Sequence, residues 1–311
     1  MPAGSTDLIV HQYDGAPAFS TKTRLMLGFK NAQWYACNQP TILPKDELFM
    51  LSGGYRQIPV AQVGADIYCG SELVLDLLEA RVPEPPLTAR SGPGIGRGLA
   101  YWAEESLFWL VSSIVCASGF QSMEDPQFIE DRQKMVSGGF DLATMQAALP
   151  ANIRVLRMHL DLVERQLEDG RAWFFGDAPD LVDITLAFPL DFLRFCRNGN
   201  EHIVAEYPRI LAWMKRVKAL GHGQRQEITP EEAIAVARAA TPAMRTPRST
   251  VKEGPQPGTR VRVTWSAYSP LDLEGEVVEA HARRMSVAWT SPAAGDLVIH
   301  FLPGAGRIVC C

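Results

Sequence analysis

The segment 53–72 contains residue types that could hold a small peptide-like ligand through its backbone and a carboxylate. Pro59 lacks an N–H and suits a strand entrance or edge, and an Ile58-Pro59 bond there can be cis, which would turn the backbone groups of Ile58 outward. Ser71 precedes an apolar-periodic run and is a preferred N-cap, so it predicts the start of a helix. The positive end of that helix can hold a carboxylate. An exposed backbone edge beside such a helix start is what a small peptide ligand needs.

The elements around this segment follow the order βαβ and then ββα. Residues 7–13 and 33–37 predict strands on either side of a helix over 19–29, and two later strands turn at 64–66. Order, spacing and the proline resemble the thioredoxin-like, glutathione-binding domain of the glutathione S-transferase superfamily over roughly residues 7–82. The alternative is another small α/β unit with a proline-containing hairpin.

Helical periodicity then predicts an all-α region over residues 98–240. The stretch 81–96, rich in proline and glycine, predicts a linker without a helix, and the glycine-rich run 92–98 belongs to it. Asp180, with Asp183 three residues later, predicts a variant of the capping box. Residues 176–183 resemble the Gly-x-x-Pro-Ser/Thr-x-x-Asp element of glutathione transferases, with Asp180 in place of Ser or Thr.

After a second proline-rich linker, four or five short strands predict a small β-barrel of SH3-like size. The expected fold is an α/β thioredoxin-like domain over 1–84, an all-α helical bundle over 98–240 and the barrel over 259–311. Acidic and basic side chains are balanced in the barrel, which argues against a nucleic-acid-binding module.

Composition sets loose bounds on function. The 311 residues are 47% hydrophobic with a formal net charge of −5, which gives no sign of attraction to nucleic acid or membranes. Neither a membrane span nor a signal-peptide pattern is visible, so a cytoplasmic protein is expected. Scattered cysteines without Cys-x-x-Cys spacing predict free thiols in a reducing compartment. The six histidines form no ligand-spaced cluster, so no metal site is predicted.

The resemblance implies a Tyr, Ser or Cys near the start of the first helix that donates a hydrogen bond to the glutathione sulfur and favours the thiolate. Pro17 occupies the position of the Ser or Cys and has no donor. Tyr13, at the end of the first strand, and Ser20, one helical turn beyond Pro17, are the candidate catalytic residues. The alternatives are a packed strand-end aromatic for Tyr13 and a helix cap or turn for Ser20.

The resemblance also implies the binding residues. The backbone of Ile58, before Pro59, is expected to pair with the cysteinyl part of glutathione, and Ser71 to hold the γ-glutamyl carboxylate. Gly70 replaces the acidic residue usual before that serine. Lys45 occupies the place of a basic residue near the glycyl carboxylate, with a solvated loop lysine as the alternative.

Two functions follow as expectations. The first is an enzyme that uses glutathione as co-substrate, attacking a small, apolar electrophile as a transferase or acting as a related lyase, isomerase or dehalogenase. The second is a catalytically reduced binding or scaffold protein with the barrel as its partner surface. A homodimer is expected, without nucleic-acid or membrane partners.

Overall fold

The computed structural model describes residues 3–15, 18–136, 139–243 and 247–311. Its α-helices are α1 (Ala18–Phe29), α2 (Asp46–Ser52), α3 (Ser71–Arg81), α4 (Gly92–Trp102), α5 (Phe108–Ala117), α6 (Pro126–Met135), α7 (Leu142–Gln166), α8 (Leu181–Phe192), α9 (Pro208–Lys218) and α10 (Pro230–Ala239). Its strands are β1 (Ile9–Gln12), β2 (Gln33–Asn38), β3 (Val60–Val63), β4 (Asp66–Cys69), β5 (Gln224–Ile228), β6 (Arg248–Ser249), β7 (Arg260–Trp265), β8 (Leu273–His281), β9 (Arg284–Ser291), β10 (Gly295–Phe301) and β11 (Gly306–Cys310).

The first part of the chain has the thioredoxin-like fold that the sequence predicts. Strand β1 pairs with β2 in parallel and with β3 antiparallel, and β3 turns into β4. Helix α1 connects β1 and β2, and α3 follows β4. The Ile58-Pro59 bond is cis, as predicted. Helix α1 therefore starts beside the cis-proline loop and the beginning of α3.

The helical region is built around α8, in which every residue from Leu181 to Leu190 is buried. The Asp180 side chain accepts a hydrogen bond from the backbone of α8, and Asp183 Oδ2 accepts one from the Asp180 N–H at 2.9 Å, which confirms the predicted capping box. Asp180 also accepts a hydrogen bond from the hydroxyl of Ser91 at 2.7 Å, so the cap joins the start of α8 to the start of α4. No helix among the described residues has the length and apolar character needed to cross a membrane.

The glycine-rich run 92–98 is helical, so the prediction of a helix-free linker is wrong there. Pro93 occupies the first turn of α4, where the missing N–H is tolerated because that group would have no helical partner. Gly96 is buried close to the hydroxyl of Ser91, where a larger side chain would meet that group. Gly96 therefore allows close packing at the start of α4.

The segment 98–240 is not all-helical. Strand β5 runs parallel to β2, with Gln33 opposite Gln224, and α10 then packs near α2 and β10. Strand β5 (Gln-Arg-Gln-Glu-Ile) lies at the end of the sheet and carries polar side chains, so it gives no apolar alternation that a sequence pattern could detect. The domain boundaries at 84, 98, 240 and 259 stay predictions.

The C-terminal strands form a sheet, but the described strands do not close into the predicted SH3-like barrel. Strand β10 pairs with β9 on one side and runs parallel to β4 on the other, with Ile299 opposite Ile67. The strand order is therefore linear, β11-β7-β8-β9-β10-β4-β3-β1-β2-β5, with β6 beside β8. The small sheet stays open because its strand β10 extends the thioredoxin-like sheet.

One buried core lies under both parts of this sheet. It combines apolar side chains from the first 70 residues with side chains from the last 55: Ile9, Leu48, Leu51, Ile67, Val263, Leu273, Leu297 and Phe301. Polar groups cross the junction too, since His300 Nε2 lies 3.0 Å from Asp66 Oδ1. The C-terminal strands are thus part of the support of the thioredoxin-like sheet.

Candidate ligand site

The loop at Ile58-Pro59 leads into β3, a strand that lies between β1 and β4. The Pro59 carbonyl accepts a hydrogen bond from the Gly70 N–H at 3.0 Å. The N–H and C=O of half-buried Ile58, by contrast, form no backbone hydrogen bond with any residue that the structure describes. Backbone polar groups that are removed from water normally have partners. This pair is therefore suited to the backbone of an extended ligand.

Ser71 is the first residue of α3, and Gly70 occupies the N-cap, so the prediction that Ser71 caps the helix is wrong by one position. The Ser71 hydroxyl forms no cap and instead donates to Glu104 Oε2 at 3.1 Å. Lys22 Nζ, from α1, forms an ion pair with Glu104 and lies 3.5 Å from Ser71 Oγ. Three polar side chains from three helices therefore meet beside the cis-proline loop.

Glu72 adds a second carboxylate at this point, 3.6 Å from Lys22 Nζ. Burial alone would raise the pKa of Glu72, but the nearby cations Lys22, Arg97 and Arg283 together lower it. Glu72 is consequently ionised at neutral pH. At the start of α3, the carboxylates of Glu72 and Glu104 therefore lie beside the buried ammonium of Lys22.

Gly70 cannot easily be replaced by the acidic residue that the resemblance would place there. Its φ of +97° lies in a region that side-chain-bearing residues rarely adopt, and an added Cβ would lie 3.3 Å from the Tyr55 hydroxyl. The backbone geometry explains the glycine. The acidic groups at this point come from Glu72 and Glu104 instead.

Tyr13 follows β1 and is half-buried. Its hydroxyl is hydrogen-bonded to Lys45 Nζ, which lies 4.3 Å from the centre of the Tyr13 ring. The same Lys45 Nζ donates to the Arg56 carbonyl at 3.2 Å. Because Arg56 precedes Ile58 by two residues, the Tyr13 hydroxyl lies next to the chain segment that leads into the cis-proline loop.

Burial controls the protonation of this pair. It raises the pKa of Tyr13 to about 12, so the phenol keeps its proton at neutral pH. Burial, followed by repulsion from Arg56 and Arg132, lowers the pKa of Lys45 to about 7. Near pH 7 the pair therefore offers a protonated phenol beside an amine that can gain or lose a proton.

Ser20 is fully buried in the first turn of α1. Its Oγ accepts a hydrogen bond from the Tyr13 backbone N–H at 3.1 Å. The structure thus joins the two predicted catalytic residues through a contact in which Ser20 positions the end of β1. Pro17, the residue in the place of the Ser or Cys, lies outside the described residues.

Arg56, whose carbonyl accepts from Lys45, forms a buried ion pair with Asp131. Arg56 Nη2 donates to both carboxylate oxygens of Asp131, each at 2.7 Å. Asp131 lies in α6 and also accepts a hydrogen bond from the Leu43 N–H at 3.2 Å. Arg56, Asp131 and Glu104 were missed by the sequence analysis, because no local pattern shows that α6 and the π-helical turn between α4 and α5 reach the cis-proline loop.

A full-length relative settles the family. A solved GST-like protein from Pseudomonas syringae is 30% identical, with a TM-score of 0.78 over 98% of this chain and 100% of the relative. The chain belongs to the glutathione S-transferase superfamily.

Other solved superfamily structures share the fold over about two thirds of the chain. A glutathione S-transferase from Rhodospirillum rubrum is 18% identical, with a TM-score of 0.53 over 68% of this chain and 88% of its own. A glutathione transferase family member from Pseudomonas fluorescens, solved with two glutathione molecules bound, is 12% identical. Its TM-score is 0.52, over 69% of this chain and 89% of its own. Residues 112–225 match a family described as a domain of unknown function, DUF7962. No curated protein sequence matched the chain.

Two aromatic side chains of the helical region of this superfamily member are exposed. Tyr101 and Trp109 are 62% and 47% exposed. Phe108 instead packs against Phe19 of α1, with ring centroids 4.8 Å apart. The aromatic side chains of this region therefore differ in role, since two face solvent and Phe108 packs on α1.

Proposed function

We propose that this chain binds glutathione and uses its thiol as the nucleophile towards a small, apolar electrophile. The proposal rests on the N–H and C=O of Ile58 before the cis Pro59, which have no backbone partner among the described residues, in a chain of this superfamily. The cysteinyl backbone of glutathione would pair with these groups in an extended conformation.

The γ-glutamyl end of glutathione would lie at the start of α3. Its carboxylate would accept from the Ser71 hydroxyl and the N-terminal N–H groups of α3. Glu104 would receive the γ-glutamyl ammonium in place of an acid at position 70. The ion pair of Glu104 with Lys22 supports this assignment, because a cation and a carboxylate side by side complement an amino-acid zwitterion.

The thiol would be activated by Tyr13. Since burial holds the pKa of Tyr13 at about 12, its hydroxyl keeps a proton that it can donate to a thiolate. Lys45 would position that hydroxyl, and Ser20 would position the end of β1. Lys45 is fully buried, so its proposed role is to orient Tyr13, and its contact with the glycyl carboxylate stays a prediction.

Binding is tested first, by calorimetry with glutathione. Losing a hydrogen bond to a charged group costs on the order of 1.5–3 kcal/mol, so Ser71→Ala should weaken binding by roughly ten- to a hundredfold. Ser106→Ala, at an exposed serine of the π-helical segment that joins α4 to α5, is the matched control and should bind like the wild type. No binding to the wild-type chain at millimolar glutathione would end the proposal.

Activation of the thiol is tested by the pH dependence of glutathione conjugation to 1-chloro-2,4-dinitrobenzene. Tyr13→Phe should raise the apparent thiol pKa by about one unit and lower the rate at neutral pH several-fold. Ser20→Ala should lower the rate with a smaller change of the apparent pKa, because Ser20 acts only through the backbone of Tyr13. An unchanged profile in Tyr13→Phe would show that another group activates the sulfur.

A further inference from the structure

The segment 53–56, which follows α2 and leads into the cis-proline loop, carries one of the groups that hold the Tyr13–Lys45 pair. All of its residues are buried, and its last residue, Arg56, supplies the carbonyl that accepts from Lys45 Nζ at 3.2 Å. The same Nζ is hydrogen-bonded to the Tyr13 hydroxyl, the group proposed above to activate the thiol. The placement of this segment therefore affects where the Lys45 ammonium and the Tyr13 hydroxyl lie.

Trp265, the last residue of β7, binds the beginning of this segment. Its indole N–H donates to the Gly53 carbonyl at 2.8 Å, and both residues are buried. Its ring packs edge-on against the ring of Tyr55, with centroids 5.3 Å apart. Gly53 has a φ of +61°, and an added Cβ would lie 2.6 Å from Leu273 Cδ1. The C-terminal strands thus pack directly on the backbone that follows α2.

The loop between β7 and β8 binds the rest of the segment. The Tyr268 carbonyl accepts from Arg56 Nη1 at 3.3 Å. The Leu271 carbonyl lies so close to Gly54 that an added Cβ there would overlap with its oxygen. The Ser269 hydroxyl is hydrogen-bonded to the Leu271 C=O at 3.1 Å and to the Leu271 N–H at 3.2 Å, which fixes this turn. Residues from the end of the chain therefore hold the segment along its length.

We propose that Trp265 and the loop between β7 and β8 position the Tyr13 hydroxyl, through the segment 53–56 and Lys45, so that the C-terminal strands take part in activating the thiol. This inference rests on the proposed use of glutathione. A donor must be held to within about 0.5 Å of its productive position to act on a reacting group. Trp265 is a positioning residue, because it acts through the Gly53 carbonyl. A folded protein with a loosened segment should still bind glutathione but should activate it less.

Trp265→Phe tests the inference, because it removes the indole N–H and keeps an aromatic ring against Tyr55. In conjugation of glutathione to 1-chloro-2,4-dinitrobenzene, the apparent thiol pKa should rise by about half a unit. The rate at neutral pH and saturating glutathione should fall about threefold, because the thiolate fraction falls by that factor. The dissociation constant of glutathione, measured by calorimetry, should stay close to that of the wild type, since Ser71 is unchanged.

Trp34→Phe is the matched control. Trp34 is also buried, and its indole N–H also donates to a backbone carbonyl, that of His222, at 2.8 Å. Its loss should lower the stability of the protein by a similar amount and leave the pH profile of conjugation unchanged. A stabilising role alone would give the same result for both tryptophan variants.

A milder variant addresses the loop itself. Ser269→Ala removes the hydroxyl that fixes the turn at Leu271, and should raise the apparent thiol pKa by about half as much as Trp265→Phe does. Ser266→Ala is its control, because the hydroxyl of that exposed serine of the same loop donates to the Gly304 carbonyl at 3.3 Å instead. It should react like the wild type.

The titration of Lys45 gives a readout that needs no glutathione. Nuclear magnetic resonance of the lysine side chains can follow it in the free protein, with Lys45→Met for assignment. The charged groups that face Lys45 are Arg56 and, from α6, Asp131 and Arg132, and Tyr13 is its hydrogen-bond partner. A loosened segment admits water to the buried ammonium, so the midpoint of the titration should rise.

The midpoint should rise by at least about half a unit in Trp265→Phe and should stay in place in Trp34→Phe. An unmoved midpoint in Trp265→Phe would overturn the inference. So would a loss of glutathione affinity in that variant without a change of the apparent thiol pKa. A wild-type protein that binds no glutathione would instead contradict the proposed function, so the two failures are told apart.

Discussion

At the scale of single residues, the pair of Tyr13 and Lys45 is the most unusual arrangement of the site. A lysine with no exposed surface loses the hydration of its charge, and here the hydroxyl of Tyr13 and the carbonyl of Arg56 are its hydrogen-bond partners. The folded protein therefore holds a proton on Lys45 less tightly than the unfolded chain does.

This difference predicts a pH dependence of stability. The pKa of Lys45 falls from 10.5 to about 7 on folding, so between about pH 7 and 10.5 the unfolded state binds more protons, and stability rises with pH. Below pH 7 both states are protonated and the contribution is constant. In urea unfolding, the wild type should gain on the order of 2 kcal/mol relative to Lys45→Met between pH 7 and 9.5. Parallel pH profiles of the two proteins would contradict the expected shift.

The sequence predicts only part of the site, because some of its contacts join residues that are far apart along the chain. Ile58, Pro59 and Ser71 belong to one local motif, so their spacing is enough to predict them as ligand-binding residues. Glu104 and Asp131 reach the same place only through the packing of the helical region. Their neighbours along the chain carry no signal of that contact.

At the scale of elements, the cap of α8 connects distant parts of the helical region. Asp180 accepts from the N–H groups of Arg90 and Ser91, each at 3.0 Å, as well as from its own helix. Asp183 accepts from Trp213 Nε1 at 2.7 Å. Two carboxylates at one helix start thus organise α4, α8 and α9.

Replacing Asp180 by Ala should destabilise the protein by about 2–4 kcal/mol, since it removes a cap and leaves buried donors unpaired. Asp180→Ser should recover part of that loss, because serine caps equally well but reaches fewer of the partners on α4. Chemical unfolding of the three proteins measures the effect. A serine variant as unstable as the alanine variant would show that the cap itself contributes little.

Elements with strong patterns were predictable and those without were not. Helix α9 begins with Pro208, and helix α10 follows the Thr229 cap. Strand β7 has an alternating pattern of apolar and polar side chains that predicts it equally well. Helix α4 was missed because its glycines, considered locally, disfavour a helix, and the close approach of Gly96 to Ser91 is visible only in three dimensions. Strand β5 was missed because an edge strand with polar side chains has no hydrophobic periodicity.

At the scale of the whole molecule, the sheet joins the two ends of the chain. Strand β10 lies between β9 and β4, and the core beneath the junction takes side chains from both sides. Local patterns predict the individual C-terminal strands but not the partner of the last one, because parallel pairing between residues more than 200 positions apart leaves no trace in the sequence.

The shared core predicts one cooperative thermal transition for the thioredoxin-like sheet and the C-terminal strands. Ile299 is fully buried opposite Ile67, so a substitution there tests the contact between the two parts of the sheet. Ile299→Ala should lower stability by about 2–5 kcal/mol and shift that transition as a whole. Val309→Ala, at a side chain 47% exposed, should change stability by less than about 0.5 kcal/mol. In calorimetry, a separate low-temperature peak in Ile299→Ala would instead show an independent C-terminal unit.

The pairing of β4 with β10 also has a consequence while the protein is being made. Strand β4 is complete when residue 69 has been synthesised, but its neighbour ends only at residue 301. A ribosome adding about 5–20 residues per second needs about ten to fifty seconds to cover that interval. Throughout it, the nascent chain carries an open strand edge with an apolar side that other chains can join. Growing chains, rather than finished molecules, are therefore where aggregation of this protein should begin.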